Sequence, residues 1–146
     1  MEKRININQV EPQAFKAMFV LEGYLAKIDI SKTLKELIKI RASQINNCAY
    51  CIDMHTKDAI KGGETNQRIF LAGAWKEATK FFTKEEQTVL AMTEEITLIH
   101  QNGLSKATYE KAASVFTENQ IAQIIMVIVT INAWNRIAVS THQKIE

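Results

Sequence analysis

Proline and glycine are the residues that most often end helices, and this chain has one proline, Pro12, and five glycines in 146 residues. Sustained alternation of apolar and polar residues, the mark of a half-buried strand, is nearly absent. Apolar residues recur instead at steps of three and four. Ala14, Met18, Leu21, Leu25 and Ile28 make one stripe along a first helix opened by Pro12. Ser31 can cap a second helix to about Ile45, lined on one side by Leu34, Leu37, Ile38 and Ile45 and broken by Asn46 and Asn47. A third helix starts near Cys48 and stops at Gly62 and Gly63, and Thr65 caps a short fourth through Leu71, followed by a looser stretch around Trp75. Thr83 and Glu86 have capping-box spacing ahead of a helix running to Gln101. Ser105 caps another, ending near Phe116, and Thr117 with Gln120 repeats the box before a long last helix. The pattern predicts an all-α fold, a helical bundle of about seven helices in which residues 1–146 form a single domain.

Composition narrows the function classes. Hydrophobic residues at 47% against 23% charged are the balance of a globular protein with a substantial core. Eighteen basic and sixteen acidic residues are interspersed and leave a net charge of +2, so no nucleic-acid partner is expected. The start of the chain, Met1-Glu2-Lys3-Arg4-Ile5-Asn6, lacks the apolar stretch of a secretory signal, which places the protein in the cytoplasm as an expectation. Ile121 to Val139 is apolar enough to suggest a membrane span, but Gln123, Asn132, Asn135 and Arg136 interrupt it. The reading is a buried helix, not a membrane segment. With so little polar surface to turn to solvent, that helix is expected to contribute to a homo-oligomer interface.

The chemistry concentrates in Asn47-Cys48-Ala49-Tyr50-Cys51-Ile52-Asp53-Met54-His55, which holds both cysteines of the chain. On a helix, positions 48, 51 and 55 fall within roughly 60° of one another, so two sulfurs and an imidazole share a stripe. Exposed amides at the helix start favour a thiolate at Cys48 and Cys51. His55, one turn after Cys51, can take the thiol proton directly or through a water. Two cysteines at this spacing can close a disulfide across one turn, which supplies a resolving partner for redox turnover. Zinc is the rival reading, because CxxC is also a metal-ligand spacing and His55 could be a third ligand. A closed zinc site would need a fourth ligand from a carboxylate or from His100 or His142, both read as surface residues. No metal and no cofactor is therefore expected.

The run from Leu34 to His55, with Glu36, eleven residues, CxxC, three residues and His55, resembles the core of the AhpD-like (alkylhydroperoxidase) branch of the carboxymuconolactone decarboxylase family. The resemblance extends to Ala74-Trp75, to Phe82-Thr83 and to Ile131-Asn132-Ala133-Trp134-Asn135-Arg136. It implies an all-helical subunit that assembles as a trimer or hexamer and reduces a small-molecule peroxide at the expense of an external thiol or dithiol. Carried over by position, Cys51 attacks the peroxide, Cys48 resolves it and exchanges with the reductant, and Glu36 with His55 forms the proton relay.

If the second and third helices form an antiparallel hairpin about Asn46-Asn47, Glu36 and His55 lie within roughly 3 Å of the same level along the axis. Periodicity alone turns Glu36 away from the apolar stripe, towards solvent and Lys39, and puts Arg41 on the apolar side, to snorkel or pair internally. The chain departs from the best-known AhpD pattern at Tyr50, which stands where a second relay histidine would precede the cysteine. A phenol donates a hydrogen bond but is a poor base at neutral pH. Trp134, Asn135 and Arg136 are read as packing and polar satisfaction.

Besides the peroxidase, two other functions fit the residues. One is a non-catalytic redox-sensing or protein-binding subunit using the same disulfide. The other is the lactone or decarboxylase chemistry of relatives that generally lack the cysteine pair. The apolar last helix makes one expectation independent of these alternatives. Light scattering should give a multiple of the single-chain mass, and a monomeric mass over a wide concentration range would count against an oligomer.

Overall fold

The computed structural model describes residues 4–145, so Met1, Glu2 and Lys3 of the N-terminal segment, and Glu146, lie outside it. Among the described residues there are eight α-helices and no strand. They are α1 (Ile7–Val10), α2 (Pro12–Leu25), α3 (Lys32–Ile45), α4 (Ala49–Lys61), α5 (Asn66–Leu71), α6 (Lys84–Thr97), α7 (Lys106–Val115) and α8 (Glu118–Ser140). Two single 3-10 turns, Ala72–Ala74 and Thr79–Phe81, form the loose stretch about Trp75.

The predicted caps are in place. Ser31, Thr65 and Ser105 each accept from the amide three residues on, and both capping boxes, Thr83 with Glu86 and Thr117 with Gln120, are closed in both directions. Two boundaries differ from expectation. The extra helix, α1, is a single turn held by the Asn6 side chain on the Gln9 amide, too short to leave an apolar period. Helix α6 stops at Thr97, and Leu98 to Asn102 turn to Gly103, which has a positive φ.

Helix α3 is the axis of the packing. Ile38 and Ala42 join the main core with Val89 and Met92 of α6 and with Ile124, Val127, Ile128 and Ile131 of α8. Leu37 faces Trp75, Phe82 and Leu90, while Ile40 packs on Ala59 of α4 and Ile69 of α5. A helix covered on three sides has little face left for water, which is why Glu36 and Ser43 are buried along with the leucine and isoleucines. The expectation of a solvated Glu36 is therefore wrong: the amphipathic pattern marks one packed face of α3, and α4 covers much of the other.

Arg41 resolves the opposite oddity. Its Nε donates to Glu94 Oε1 at 2.9 Å, and the same oxygen accepts from Trp75 Nε1 at 2.9 Å while Lys76 Nζ reaches Glu94 Oε2 at 2.7 Å. Burial pushes the Glu94 carboxyl up, and these donors and charges outweigh it and hold the group below the usual carboxylate range.

Helix α8 is long and apolar enough to cross a membrane by length and composition alone. It packs against α2, α3, α4, α6 and α7, with Ile121, Ile124, Val127, Ile128 and Ile131 buried. Helix α2 is covered less than its stripe implies, since Ala14 is exposed and only Leu25 of its residues is buried. Replacing Glu94 by Ala strands the Arg41 guanidinium and the Trp75 indole N–H together. Urea unfolding should show a loss of about 1–3 kcal/mol relative to the native chain.

Candidate active site

The α3–α4 turn is fixed from below by amide side chains. Asn47 takes a positive φ of 53°, and the Cys48 amide returns to the Ser43 carbonyl at 3.0 Å. Asn46 Nδ2 donates to Asn132 Oδ1 at 3.0 Å and to Asn135 Oδ1 at 2.9 Å, and Asn135 Nδ2 donates to Ser43 Oγ at 2.9 Å. Asn135 is 1% exposed, so its side-chain amide depends on Asn46 and Ser43 for its hydrogen bonds. Arg136 Nη1 adds a bond to Asn132 Oδ1 at 2.9 Å. The polar residues of the last helix thus tie it to the turn that carries the cysteines.

Cys48 is the N-cap of α4, its Sγ accepting from the Cys51 amide at 3.3 Å, and Cys51 lies in the first turn. The two are joined by a disulfide, with Cα atoms 5.3 Å apart, so the structure holds the oxidised pair. Both sulfur residues are almost fully buried, Cys48 at 1% and Cys51 at 2%.

One turn on, His55 Nδ1 lies 3.1 Å from Glu36 Oε2, and both residues are 7% exposed. The carboxylate accepts the Nδ1 proton, which leaves Nε2 free to act as a base. Lys39 Nζ stands 3.6 Å from the other Glu36 oxygen. Burial pushes the Glu36 carboxyl up, but the hydrogen bond from His55 and the charge of Lys39 outweigh it and keep the group ionised below the usual carboxylate range.

A cavity of about 540 Å³ opens over the pair. Cys51, Tyr50, Met54, His55 and Asp58 of α4 line one side, with Lys39 beside them. Phe15, Phe19 and Glu22 of α2, Trp134 and Ile137 of α8 and residues 6–8 complete it. The wall includes Cys51 and not Cys48. Cys48, the expected point of exchange with a reductant, sits at the N-cap under the turn that holds it.

All four expected site residues, Glu36, Cys48, Cys51 and His55, are gathered in one place. The two cysteines that the rival zinc reading would use as ligands bond each other. The set that could hold a cation is Glu36, His55 and Asp58, whose ligand atoms lie within 4.8 Å of one another. His100 is exposed as expected, whereas His142 is half-buried at a φ of 52°, its buried Nδ1 without a hydrogen-bond partner among the described residues.

Sequence reading gave Lys39 as a partner of Glu36, but it missed Asp58 beside the Glu36–His55 pair and Phe15, Phe19 and Met54 as cavity wall. Asp58 carried a signal, three residues after His55 and hence on the same face. The aromatic wall carried none, because α2 meets α4 only across the cavity.

A chain with this fold and this Glu36, CxxC and His55 pattern belongs to the carboxymuconolactone decarboxylase family, whose profile matches residues 12–95, and within it to the AhpD-like proteins. It is 41% identical over 140 residues to the uncharacterized protein YdfG of Bacillus subtilis (strain 168), covering 96% of this chain and 95% of that one. A solved protein of unknown function from Agrobacterium tumefaciens, assigned provisionally to antioxidant defence as an AhpD, superposes with a TM-score of 0.95 at 35% identity over 99% of both chains. The debrominase Bmp8 shares the fold with a TM-score of 0.83 at 20% identity, covering 94% of this chain and 74% of that one.

The Glu36–His55 pair makes a pH prediction. A carboxyl titrating lower in the folded than in the unfolded chain adds stability above the ordinary carboxylate value of 4.5, and that stability is lost as pH falls towards the folded value. Glu36→Gln should therefore be less stable than the native chain at pH 7, with the gap narrowing below pH 4.5, as read by denaturant unfolding at a series of pH values. A gap independent of pH would mean that the Glu36 carboxyl titrates alike in the folded and the unfolded chain.

Proposed function

We propose that this protein is a thiol-dependent peroxidase in which Cys51 attacks the peroxide, Cys48 resolves it and Glu36 with His55 moves the proton. The observation that carries the reading is the convergence of a closed Cys48–Cys51 disulfide and a carboxylate-held imidazole at a cavity onto which Cys51 faces.

In the reduced enzyme His55 takes the Cys51 proton, and the thiolate attacks the terminal oxygen of ROOH. The O–O bond breaks, and the departing alkoxide takes the proton back from the imidazolium and leaves as ROH. Cys51 is then a sulfenic acid. The Cys48 thiol attacks the Cys51 sulfur, the S–O bond breaks, and water departs as the disulfide forms. Two electrons from an external thiol or dithiol reopen the pair.

Access favours attack by that reductant on Cys51 through the cavity. Cys48 would then leave as the thiolate, and the Cys51 amide with the start of α4 stabilises the negative charge there. The exchange point is thus moved from Cys48 to Cys51, and Cys48 becomes the leaving group. Tyr50 also lines the cavity, where its hydroxyl can donate to the departing oxygen in place of a second imidazole. The cytoplasm, with its thiol reductants, is the compartment this cycle suits, and a homo-oligomer is the assembly the family resemblance implies.

The test is peroxide consumption by variants with a dithiol reductant present. Cys51→Ser should fall to the background rate. Cys48→Ser should consume one equivalent and stall, with a sulfenic acid at Cys51 trapped by dimedone and located by mass spectrometry. Full turnover by Cys51→Ser would refute the mechanism.

A further inference from the structure

The cavity is far larger than a hydrogen peroxide molecule needs. At about 540 Å³ it lies within the range of roughly 300–1,000 Å³ that holds drug-sized organic ligands. Its chemistry is uneven. The side away from the disulfide is an aromatic cluster: Phe15 and Trp134 meet nearly edge to face, with centroids 5.2 Å apart and planes at 71°, and Phe19 lies 5.8 Å from each. These tilted rings leave edges and faces turned to the cavity for a further ring to pack on.

Trp134 is held in place, since its Nε1 donates to Glu22 Oε1 at 2.9 Å, so the largest of the three surfaces is preorganised. Phe19 is 60% exposed at the rim, an apolar surface that folding leaves available to a ligand. Met54, on the α4 side with Cys51, adds a polarizable thioether of the kind that packs well on aromatic edges.

The charges argue about the rest of the ligand. Two carboxylates line the cavity, those of Glu22 and Asp58, and Lys39 is the cation beside them, already 3.6 Å from Glu36. An anionic substrate would meet an excess of negative charge and a cation that is already engaged. A neutral one would not.

We propose, resting on the peroxidase reading above, that this cavity is a site for a neutral aryl-substituted hydroperoxide, with Phe15, Phe19 and Trp134 packing on the aryl ring and the peroxide group directed to Cys51. The bond changes are those of the peroxidase cycle, and the alcohol that leaves carries the aryl ring. That alcohol keeps every contact the aromatic wall makes, so it reports on the site without turnover.

The experiment uses the full chain and two probes, cumene hydroperoxide as substrate and its product alcohol, 2-phenylpropan-2-ol, as a non-reacting ligand. Titration with the alcohol should shift the ring resonances of Phe15, Phe19 and Trp134 in a saturable way. Absence of those shifts at saturating alcohol overturns the proposal, whether or not the protein turns over peroxides. Saturable shifts without turnover of any peroxide would leave the aryl site standing and remove the peroxidase.

The kinetic arm compares KM for cumene hydroperoxide with KM for hydrogen peroxide. Phe19→Leu, at the exposed rim where folding is not at stake, should raise the ratio of the two about threefold to tenfold, the effect of one lost aromatic contact. Trp134→Leu should raise it further. An unchanged ratio in Phe19→Leu and Trp134→Leu, each with native thermal unfolding, would overturn the role of the aromatic wall.

Discussion

The burial of α3 on three sides is the constraint on which the rest of the molecule depends. Its Ile38 and Ala42 enter the core with α6 and α8, Leu37 meets Trp75 and Phe82, and Ile40 meets α4 and α5. A helix used in this way brings its polar residues inside with the apolar ones. Each must then find a partner, because an unpaired buried polar group costs free energy comparable to the bond it lacks. Glu36 finds His55, Arg41 finds Glu94, and Ser43 finds Asn135. The Glu36 carboxylate is thus one of three polar groups on α3 paired for the same reason.

That origin explains the electrostatics of the site. Burial by itself pushes the Glu36 carboxyl up, and it stays below the usual carboxylate range because an imidazole donor and the Lys39 ammonium converge on it. An ionised partner holds His55 in one tautomer and one orientation, which is the state in which an imidazole serves as a base. The cysteines are placed by a different device. Asn46, Asn132 and Asn135 bind the turn before Cys48 to α8, so the start of α4 is set by the longest helix of the fold.

The family fold accommodates different chemistries, a debrominase among the solved structures that share it, so the activity of a member has to be argued from its own site. Here Cys51 of the disulfide and His55 of the carboxylate-imidazole pair line one wall of a cavity whose other wall is aromatic. The two halves come from elements far apart in sequence, α4 for the chemistry and α2 with α8 for the wall.

Local features were legible because local physics decides them. Caps at Ser31, Thr65, Thr83, Ser105 and Thr117 are contacts between residues three apart, and Cys48, Cys51 and His55 share a face through helical geometry alone. Glu36 was legible only through resemblance to a family, since its own periodicity pointed it to solvent. The turn Ile7–Val10 and the end of α6 at Thr97 escaped, one because a single turn has no period and the other because Leu98 to Asn102 remain compatible with a helix.

The sequence by itself determined the helices, their starts and the sulfur-imidazole stripe, all of them set within one turn of chain. Only the tertiary structure decided that Glu36 meets His55, that Cys51 and not Cys48 faces the cavity, and that Phe15, Phe19 and Trp134 stand opposite. Those outcomes depend on which faces of α2, α3, α4 and α8 are brought together, and burial of apolar surface over the whole chain makes that choice.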